Sequence, residues 1–214
     1  MNNYEVKIIS RTTAKPFIEK THYTHSIGKV SVAYGLYNLD EHEKIGLFDE
    51  CKLEGVITYG QVSARDLAQS LFVGGNQDNT WEFLRMVVLD ECKCPRTWFI
   101  SKTIKDLKVK HPEIKCLVSF ADQTEGHFGY VYQASNWLYL GTTGKKYHYL
   151  VAEKRVNKRM AFDKARQLGL TEAEYIKLNK WQKIVELPKF RYVILLNKKI
   201  KLKQEVLKYP KAIK

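Results

Sequence analysis

The segment CLVSFADQTEGHFGYVYQASNWLYLG, residues 116–141, carries the densest structural and chemical signals in the chain. Its first six residues form a short apolar run that precedes polar residues, which is typical of a buried strand. A glycine-bearing turn follows, then a short helical stretch within Gly126–Asn136, and Trp137–Gly141 indicates a further strand. The segment therefore predicts a strand, a polar turn, a helix and a strand, with Asp122 at the point where the first strand ends.

Segments that alternate between strand and helix patterns surround this stretch. Strands are predicted over Tyr4–Ser10, Val30–Leu39, Cys51–Tyr59, Trp81–Leu89 and Phe190–Leu196. Helical patterns cover Arg11–His25 (ending in a polar turn), Pro95–Lys110, Glu153–Leu168 and Thr171–Lys180, the last with a capping-box pattern. Asp40–Glu50 is charged and turn-like, and Gly60–Asn79 has the composition of a surface loop. The order indicates an α/β protein whose ligands bind where strands end and loops begin.

Positive charge is concentrated in the last third of the chain. Residues 145–214 contain 20 Lys and Arg and 6 Asp and Glu, whereas residues 1–144 contain 16 and 17. We therefore expect a nearly neutral catalytic body over residues 1–144 and a basic C-terminal extension over residues 145–214. Such a surface favours nucleic acid, because each phosphate contact releases counterions, although a merely solvated lysine-rich segment is the alternative. The candidate DNA-binding side chains are Lys145, Lys146, His148, Arg155, Arg159 and Arg191.

The composition also disfavours several classes of protein. No apolar run approaches the ~20 residues of a membrane-spanning helix, and the first residues lack the apolar centre of a signal peptide. Cys51, Cys92, Cys94 and Cys116 form no C-x-x-C pair, so free thiols in a reducing compartment are expected rather than a zinc knuckle. These observations predict a cytoplasmic protein with no membrane partner.

The turn after the first strand groups residues that can carry chemistry. Asp122 at a strand end is suited to acid–base work or to metal binding, since the strand holds it while the loop exposes it. Gly126 and Gly129 flank His127 and allow the backbone to approach a ligand closely. Tyr132 offers a phenol that can donate a proton, accept one or bind a metal.

Each of these residues also has a structural interpretation. Asp122 could have no role beyond capping the helix that follows it. A single histidine such as His127 more often makes a structural hydrogen bond than binds a ligand. Trp137 and Tyr139 are candidates for stacking on a base, but such residues more often belong to a core. The sequence leaves these alternatives open.

Two other parts of the chain carry candidate site residues. His22, Tyr23 and His25 lie in a polar turn, and together with Asp122 they would form a nitrogen and oxygen ligand set suited to iron, manganese or zinc. The segment Glu82–Arg85 places a charged pair on an otherwise apolar strand, which is costly if the charges are buried without partners.

These residues carry a resemblance to a known family, the phage Mom family of DNA adenine-modifying proteins. The most specific match is the segment SFADQTEGHFGYVYQASNWLYLGTT, residues 119–143. Supporting matches are His22-Tyr23, Tyr34–Tyr37, Leu53–Gly60, Glu82–Arg85, Ser101–Lys108, Gly144–His148 and Pro188–Tyr192. The resemblance covers nearly the whole chain.

The resemblance implies a GNAT-like fold, with a mixed, mainly antiparallel central sheet flanked by helices and a basic helical C-terminal extension. It implies methylcarbamoylation of adenine at the exocyclic amine in phage DNA, which protects that DNA from restriction in the host cytoplasm. It also implies an iron-dependent (Fe²⁺) site and essential acidic, tyrosine, arginine and serine residues. Matched by motif, the implied catalytic residues are Asp122, Tyr132, Arg85, Ser101 and, more loosely, Tyr37. The implied metal ligands are drawn from His22, Tyr23, Asp122 and His127.

One segment departs from the pattern of ordinary GNAT acyltransferases. Those enzymes bind the pyrophosphate of coenzyme A on a glycine-rich turn before a helix, through backbone N–H groups. The corresponding segment here, Asp90–Thr97, contains no glycine, and Pro95 has no N–H to donate. This departure argues against acetyl-CoA as the donor.

The sequence therefore predicts an enzyme that modifies adenine in double-stranded DNA, with the donor unassigned. One alternative is a GNAT-type N-acyltransferase that acts on a protein or a small amine, for which acetyl-CoA binding would be the discriminating observation. A second is a DNA-binding protein without enzymatic activity, for which co-expressed DNA would show an unmodified nucleoside profile. The adenine has to leave the duplex to expose its amine, and Tyr37, Trp137 or Tyr139 could stack on it.

Overall fold

The computed structural model describes residues 3–45 and 48–211, and its contacts divide them into two compact units. The first unit comprises residues up to 120 together with residues 129–141 and 191–210. The second unit comprises residues 121–128, 142–190 and 211. The chain passes between the units several times, whereas the sequence predicted one boundary after residue 144.

Ten strands and six helices form the two units. The strands are β1 Tyr4–Ile9, β2 Val32–Ile45, β3 Phe48–Gln61, β4 Thr80–Val88, β5 Cys116–Ala121, β6 Leu138–Thr142, β7 Lys146–Val151, β8 Lys154–Asn157, β9 Gln182–Glu186 and β10 Phe190–Leu195. The helices are α1 Arg11–Thr21, α2 Arg65–Leu71, α3 Arg96–Lys110, α4 Tyr130–Ala134, α5 Lys158–Gln167 and α6 Glu172–Leu178. A 3₁₀ turn covers Gln123–Glu125.

The central sheet has seven strands in the order β1-β2-β3-β4-β5-β10-β6. Neighbours from β1 to β4 are antiparallel, and β4 pairs with β5 in parallel. The predicted mixed, mainly antiparallel sheet with flanking helices is therefore confirmed. Apolar contacts pack α1 and α2 on it. Ala14 and Ile18 of α1 join Ala33 and Val56 of the sheet, and Ala68 and Leu71 of α2 join Cys116 and Val118 of β5.

The hairpin formed by β2 and β3 is longer than its sequence predicts. Asp40–Glu50 was expected to be a turn, but His42 pairs with Cys51 and Glu43 pairs with Glu50 in the β2–β3 ladder. The charged sequence resembles that of a turn, because this part of the hairpin is exposed and its strands do not need an apolar face. Residues 46 and 47 of the predicted turn lie outside the described residues.

The second unit combines a three-stranded sheet in the order β8-β7-β9 with α5 and α6. The capping box predicted at Thr171 and Glu174 is confirmed, since each side chain bonds the other's backbone N–H. The helix predicted from Glu153 begins only at Lys158, because Lys154–Asn157 pairs with β7 and the Asn157 side chain caps the helix. The basic segment thus holds strands as well as the predicted helices.

None of the helices within the described ranges is both long and apolar enough to span a membrane.

Candidate active site

A fork between β4 and β5 opens the central sheet at the carboxyl ends of these two strands. The strands pair only over Thr80–Glu82 and Cys116–Val118, although β4 continues to Val88. On the other side of β4, Thr58 faces Arg85 and Tyr59 faces Phe83, so that Leu84 is an extra, bulged residue. Ligands of α/β sheets bind at the carboxyl ends of strands, and bulges redirect side chains next to such sites.

Tyr132 and Ser119 form a pair of hydroxyls at this fork. The Ser119 Oγ lies 2.7 Å from the Tyr132 Oη and 3.1 Å from the carbonyl oxygen of Phe83. The single proton of Ser119 serves only one of these oxygens at a time, so the serine can donate to the tyrosine or to the carbonyl. Ser119 of β5 therefore connects the phenol of Tyr132 on α4 to the backbone of β4.

Aromatic rings enclose the Tyr132 ring on several sides. Phe83 meets it edge-on at 5.7 Å, and Trp137 and Tyr192 lie at 5.2 and 5.3 Å between ring centroids. Trp137 is fully buried, and Tyr139 is 7% exposed and packs on Tyr192. Trp137 and Tyr139 therefore belong to the core, and this corrects the expectation that they stack on a base, since neither presents a free ring face.

The charges around Tyr132 come from three other residues of the first unit. Burial is the main cause that raises the pKa of Tyr132 to about 12, and the Ser119 hydrogen bond opposes it. The charges of Tyr23 and Glu82 raise the pKa further, whereas Arg85 lowers it. The phenol therefore holds its proton more tightly than an ordinary tyrosine does.

Arg85 is positioned by two backbone carbonyls. Its Nε donates to the carbonyl of Ser26 at 2.9 Å, and its Nη1 donates to the carbonyl of Leu84 at 2.6 Å. The first bond connects the loop after α1, which carries His22 and Tyr23, to the bulge of β4. Tyr132 therefore has Ser119 in direct contact, and its electrostatic surroundings include Arg85, Tyr23 and Glu82.

Neither Ser119 nor Glu82 was assigned a role from the sequence. The sequence feature that could have identified Ser119 is its position as a polar residue in an otherwise apolar strand. The feature for Glu82 is its negative charge in a strand whose other residues are mostly apolar. Both signals are weak by themselves, because the partner that explains each of them is distant in the chain.

Asp122 lies in the second unit and has a structural environment there. Its Oδ2 lies 2.5 Å from the Nζ of Lys189, and its Oδ1 accepts the backbone N–H of Thr124, which caps the 3₁₀ turn. Burial opposes ionisation of this carboxyl, but Lys189 and Thr124 outweigh it, so the pKa of Asp122 lies below its ordinary value. The carboxylate therefore caps the turn and pairs with Lys189, as the capping alternative left open by the sequence requires, and an acid–base role of Asp122 stays a prediction.

We expect Asp122→Ala to destabilise the second unit more than Asp122→Asn does. Asparagine keeps the capping oxygen, and loss of a cap costs about 1 kcal/mol. Because the folded-state pKa is depressed below 3.8, the ion pair stabilises the wild type above that pH and is lost as pH falls through the folded pKa. Denaturant unfolding at pH 7 and pH 3 measures both effects, and the Asn variant should lose less stability on acidification. Loss of adenine modification in Asp122→Asn with unchanged stability would instead assign Asp122 a chemical role.

The predicted metal ligands do not form a metal site in this arrangement. The Nδ1 of His22 accepts the backbone N–H of Thr24 at 3.1 Å, so a neutral His22 carries its proton on Nε2 and has no lone pair there for a metal. The Tyr23 ring stacks on His22 at 4.4 Å, while His127 is exposed in the second unit. Within residues 3–45 and 48–211, no three His, Cys, Asp or Glu side chains are arranged to hold a metal ion. The ligand set therefore does not fit the expected iron.

Two further predicted catalytic residues lie on other parts of the first unit. Ser101 is exposed on α3, whose opposite face buries Phe99, Ile100 and Leu107. Tyr37 lies on β2, facing Glu5 of β1 and Leu53 of β3, with the Nζ of Lys7 at 5.8 Å from its ring. Neither residue is on the strands that form the fork.

The predicted DNA-binding residues differ in how available their charges are. Lys145 and Lys146 are exposed. The side chain of Arg159 is 89% exposed, and its Nε lies 3.8 Å from Oδ2 of Asp163. His148 and Arg155 both contact Glu186. Arg191 lies in the first unit and donates to the Leu140 carbonyl at 3.2 Å and to Gln204 at 2.7 Å, and its contact with phosphate stays a prediction.

The start of α3 lacks the features of a pyrophosphate site. Pro95 is the N-cap residue and makes no side-chain cap bond. A cavity of about 510 Å³ beside it is lined by three carboxylate residues and one lysine, together with uncharged residues. These charged residues are Asp40, Glu41, Glu91 and Lys93. Glu41 and Glu91 both pair with the Nζ of Lys52, at 2.8 and 3.7 Å.

Comparisons with solved structures show the fold. Arabidopsis thaliana NAA60 in complex with acetyl-CoA has a TM-score of 0.51 and 8% identity over 90% of this chain and 98% of its own. NAA60 in complex with a bisubstrate analogue gives the same TM-score and identity, covering 90% and 97% of the two chains. The GNAT-like fold expected from the sequence is thereby confirmed.

Comparisons of sequence show the family. The chain is 25% identical over 197 residues to "Methylcarbamoylase mom" of Escherichia phage Mu, covering 91% of this chain and 76% of that protein. The model of the Mom protein family matches residues 3–211, which include both units and the fork. The chain therefore belongs to the Mom protein family.

Proposed function

We propose that this protein is a DNA-modifying transferase that converts adenine in phage DNA to methylcarbamoylated adenine at the exocyclic amine, and so protects the DNA from restriction. Membership of the Mom family and the similarity to a methylcarbamoylase make it a transferase. The similarity to the methylcarbamoylase of phage Mu supports the particular group that is transferred.

The hydroxyl pair of Tyr132 and Ser119 at the β4–β5 fork is the observation that carries this proposal. In the transfer, a bond forms between the adenine N6 and a carbon of the donor, while the bond to the leaving group breaks. The N6 loses a proton and the leaving group must gain one. Tyr132 supplies the second proton, because its pKa of about 12 keeps the phenol protonated until the leaving group takes up charge.

The other polar groups at the fork support the same step. As the phenol loses its proton, the Ser119 Oγ, 2.7 Å away, turns from the Phe83 carbonyl to donate to the phenolate. Arg85 lies where its positive charge stabilises that phenolate or holds an anionic part of the donor. Glu82 supplies a carboxylate near the phenol that can accept the N6 proton.

The second unit supports DNA as the substrate. Residues 142–190 contain 12 Lys and Arg and 5 Asp and Glu, and Lys145, Lys146 and Arg159 expose their charges. Such a surface binds phosphates with a strong dependence on salt. A non-enzymatic DNA-binding protein would need this surface but not the hydroxyl pair at the fork.

We expect acetyl-CoA to show no saturable binding to the purified protein by titration calorimetry. The reason is the segment Asp90–Thr97 at the start of α3, which contains no glycine and in which Pro95 has no N–H to donate. Binding at micromolar acetyl-CoA would contradict this expectation and favour an N-acyltransferase that acts on a protein or a small amine.

The iron requirement implied by the family stays a prediction, and elemental analysis of the purified protein tests it. The residues described above give no ligand set through which a metal-dependent step can be derived.

The proposed function is tested by expressing the protein together with a plasmid, digesting the plasmid DNA and analysing the nucleosides by mass spectrometry. A mass-shifted deoxyadenosine is expected, with unmodified cytidine, guanosine and thymidine. An unmodified profile from well-folded protein in a host that supplies the donor would refute the function.

A further inference from the structure

A pocket of about 600 Å³ lies within the second unit, between its sheet and α6. Tyr147 and Tyr149 of β7 line one side, and Trp181 lies between α6 and β9. This volume is in the range of pockets that hold small organic ligands. Nothing in the proposed chemistry at the β4–β5 fork uses it.

The aromatic residues of the pocket form one connected group. Trp181 packs edge-on against Tyr175 at 5.2 Å and lies 6.0 Å from Tyr149, which in turn lies 5.7 Å from Tyr147. Tyr175 and Tyr149 are buried, so they support the half-buried Trp181 from behind. A supported, partly exposed indole is the type of surface on which nucleobases stack.

A carboxylate is held at the same pocket by two of these tyrosines. The hydroxyls of Tyr149 and Tyr147 donate to Glu172 Oε1 at 2.5 and 3.2 Å. This fixes the orientation of Glu172, which lines the pocket. A carboxylate in this position can accept a hydrogen bond from the amino group of a base.

Lysines surround the aromatic group. Lys177, Lys180 and Lys183 line the pocket. The Lys183 Nζ lies 4.0 Å from the centroid of the Tyr147 ring, and Lys158 approaches the same ring at 4.8 Å. Aromatic side chains interleaved with positive charges match a base flanked by phosphates, since the rings take the base and the lysines take the backbone.

We propose that this pocket binds one unpaired nucleotide of the DNA strand, with its base against Trp181, its amino group on Glu172 and its phosphates on Lys177, Lys180 and Lys183. The proposal rests on DNA being the substrate. The pocket is distinct from the fork, which lies in the first unit, and it explains why the basic segment contains buried tyrosines and a tryptophan rather than lysines alone. Extrusion of an adenine from a duplex disrupts its neighbourhood and so creates unpaired nucleotides that such a pocket can hold.

The test measures binding of the full-length protein to fluorescein-labelled DNA by anisotropy at one fixed salt concentration. Three probes are compared, namely a paired duplex, the same duplex with one extrahelical adenine, and a single strand. The wild type is expected to bind the extrahelical adenine and the single strand more tightly than the paired duplex. Trp181→Leu is expected to lose this preference, with binding of the two unpaired probes weakened on the order of 10-fold.

Trp98→Leu is the matched control, because Trp98 is also half-buried and also has a lysine, Lys102, over its ring, but it lies on α3 in the first unit. It should bind all three probes as the wild type does. The charges are tested in the same way with Lys183→Ala against Lys198→Ala, an exposed lysine outside the second unit. Lys183→Ala removes the contact of Lys183 with the Tyr147 ring but keeps the ring-to-ring contacts of the pocket, so the lysine variants decide the matter even where Trp181→Leu fails to fold.

Equal effects of Trp181→Leu and Trp98→Leu, or of Lys183→Ala and Lys198→Ala, would overturn the proposal, as would a wild type that prefers the paired duplex.

Glu172→Gln should reduce binding of an extrahelical adenine more than that of an extrahelical thymine, which has no amino group. The nucleoside analysis of co-expressed plasmid is run in parallel. Modified adenine together with failure of the binding test refutes only the pocket, whereas unmodified adenine with a positive binding test refutes the proposed function.

Discussion

Tyr132→Phe is expected to lower the yield of modified adenine by about 10²- to 10⁴-fold, the usual contribution of a positioned general acid. The substitution removes only the hydroxyl, and the ring contacts with Phe83, Trp137 and Tyr192 remain. Ser119 keeps its hydrogen bond to the Phe83 carbonyl, so the fork should retain its shape. The measurement is single-time-point and time-course mass spectrometry of nucleosides from co-expressed plasmid, with the thermal midpoint as a check of folding.

Tyr192→Phe is the control for the loss of a buried phenol. Tyr192 packs on Tyr132, and its hydroxyl accepts a hydrogen bond from Gln133 at 3.0 Å. Burial raises the pKa of both tyrosines to about 12, so the two variants remove chemically similar groups. Tyr192→Phe should retain activity within a few-fold of wild type. Equal losses in the two variants would show that Tyr132 contributes packing rather than a proton.

Gly129→Ala is expected to give the largest loss of stability, about 2–5 kcal/mol in the free energy of unfolding. Gly129 precedes α4 with φ +75°, a conformation that costs a residue with a Cβ roughly 1–2 kcal/mol. The added Cβ would also meet the Tyr192 ring, since its nearest atom is at 2.3 Å, and overpacking of this type costs about 1–3 kcal/mol. The Tyr192 ring is close to this glycine and also packs on the Tyr132 ring, so relief of the clash is expected to disturb the site.

Gly126→Ala separates the backbone effect from the packing effect. Gly126 has a similar φ of +70°, but an added Cβ would meet no atom within 4 Å. It should therefore lose only about 1–2 kcal/mol. Denaturant unfolding of both variants gives the difference between them, and adenine modification by residual folded Gly129→Ala protein should be reduced further because α4 carries Tyr132. Equal stability of the two variants would contradict the assigned contact between Gly129 and Tyr192.

The periodicity of apolar residues in the sequence was sufficient to predict a strand or helix where that element buries one face. The strands of the central sheet and α3 were predicted close to their observed bounds, because their apolar residues recur with the period of the element. The short strands β7, β8 and β9 were not predicted, since four to six residues with mixed charge give no distinct pattern. The exposed end of the hairpin of β2 and β3 was mistaken for a turn for the same reason.

The candidate site was predictable only in part. Tyr132 and Arg85 were identified from local patterns and from the resemblance, and both lie at the fork. Asp122 stood out in the same segment, but its partner Lys189 lies 67 residues later and no local pattern connects them. Trp137 is of a residue type that can stack on a base. It is buried instead, because Phe83 and Tyr132 pack against its ring, and these contacts cannot be seen in the local sequence.

The sequence by itself determined the order of the central-sheet strands and of helices α1, α3, α4, α5 and α6 along the chain. It also determined the concentration of positive charge after residue 144 and the segment that carries the tyrosine of the site. These follow from local composition and periodicity, which act within a few residues of the chain. Only the tertiary structure decided that β4 and β5 separate, that Ser119 meets Tyr132 and that Asp122 is neutralised by Lys189. Hydrogen bonds, burial and charge pairing act through space at a few ångströms, so their outcome depends on which distant segments the fold brings into contact.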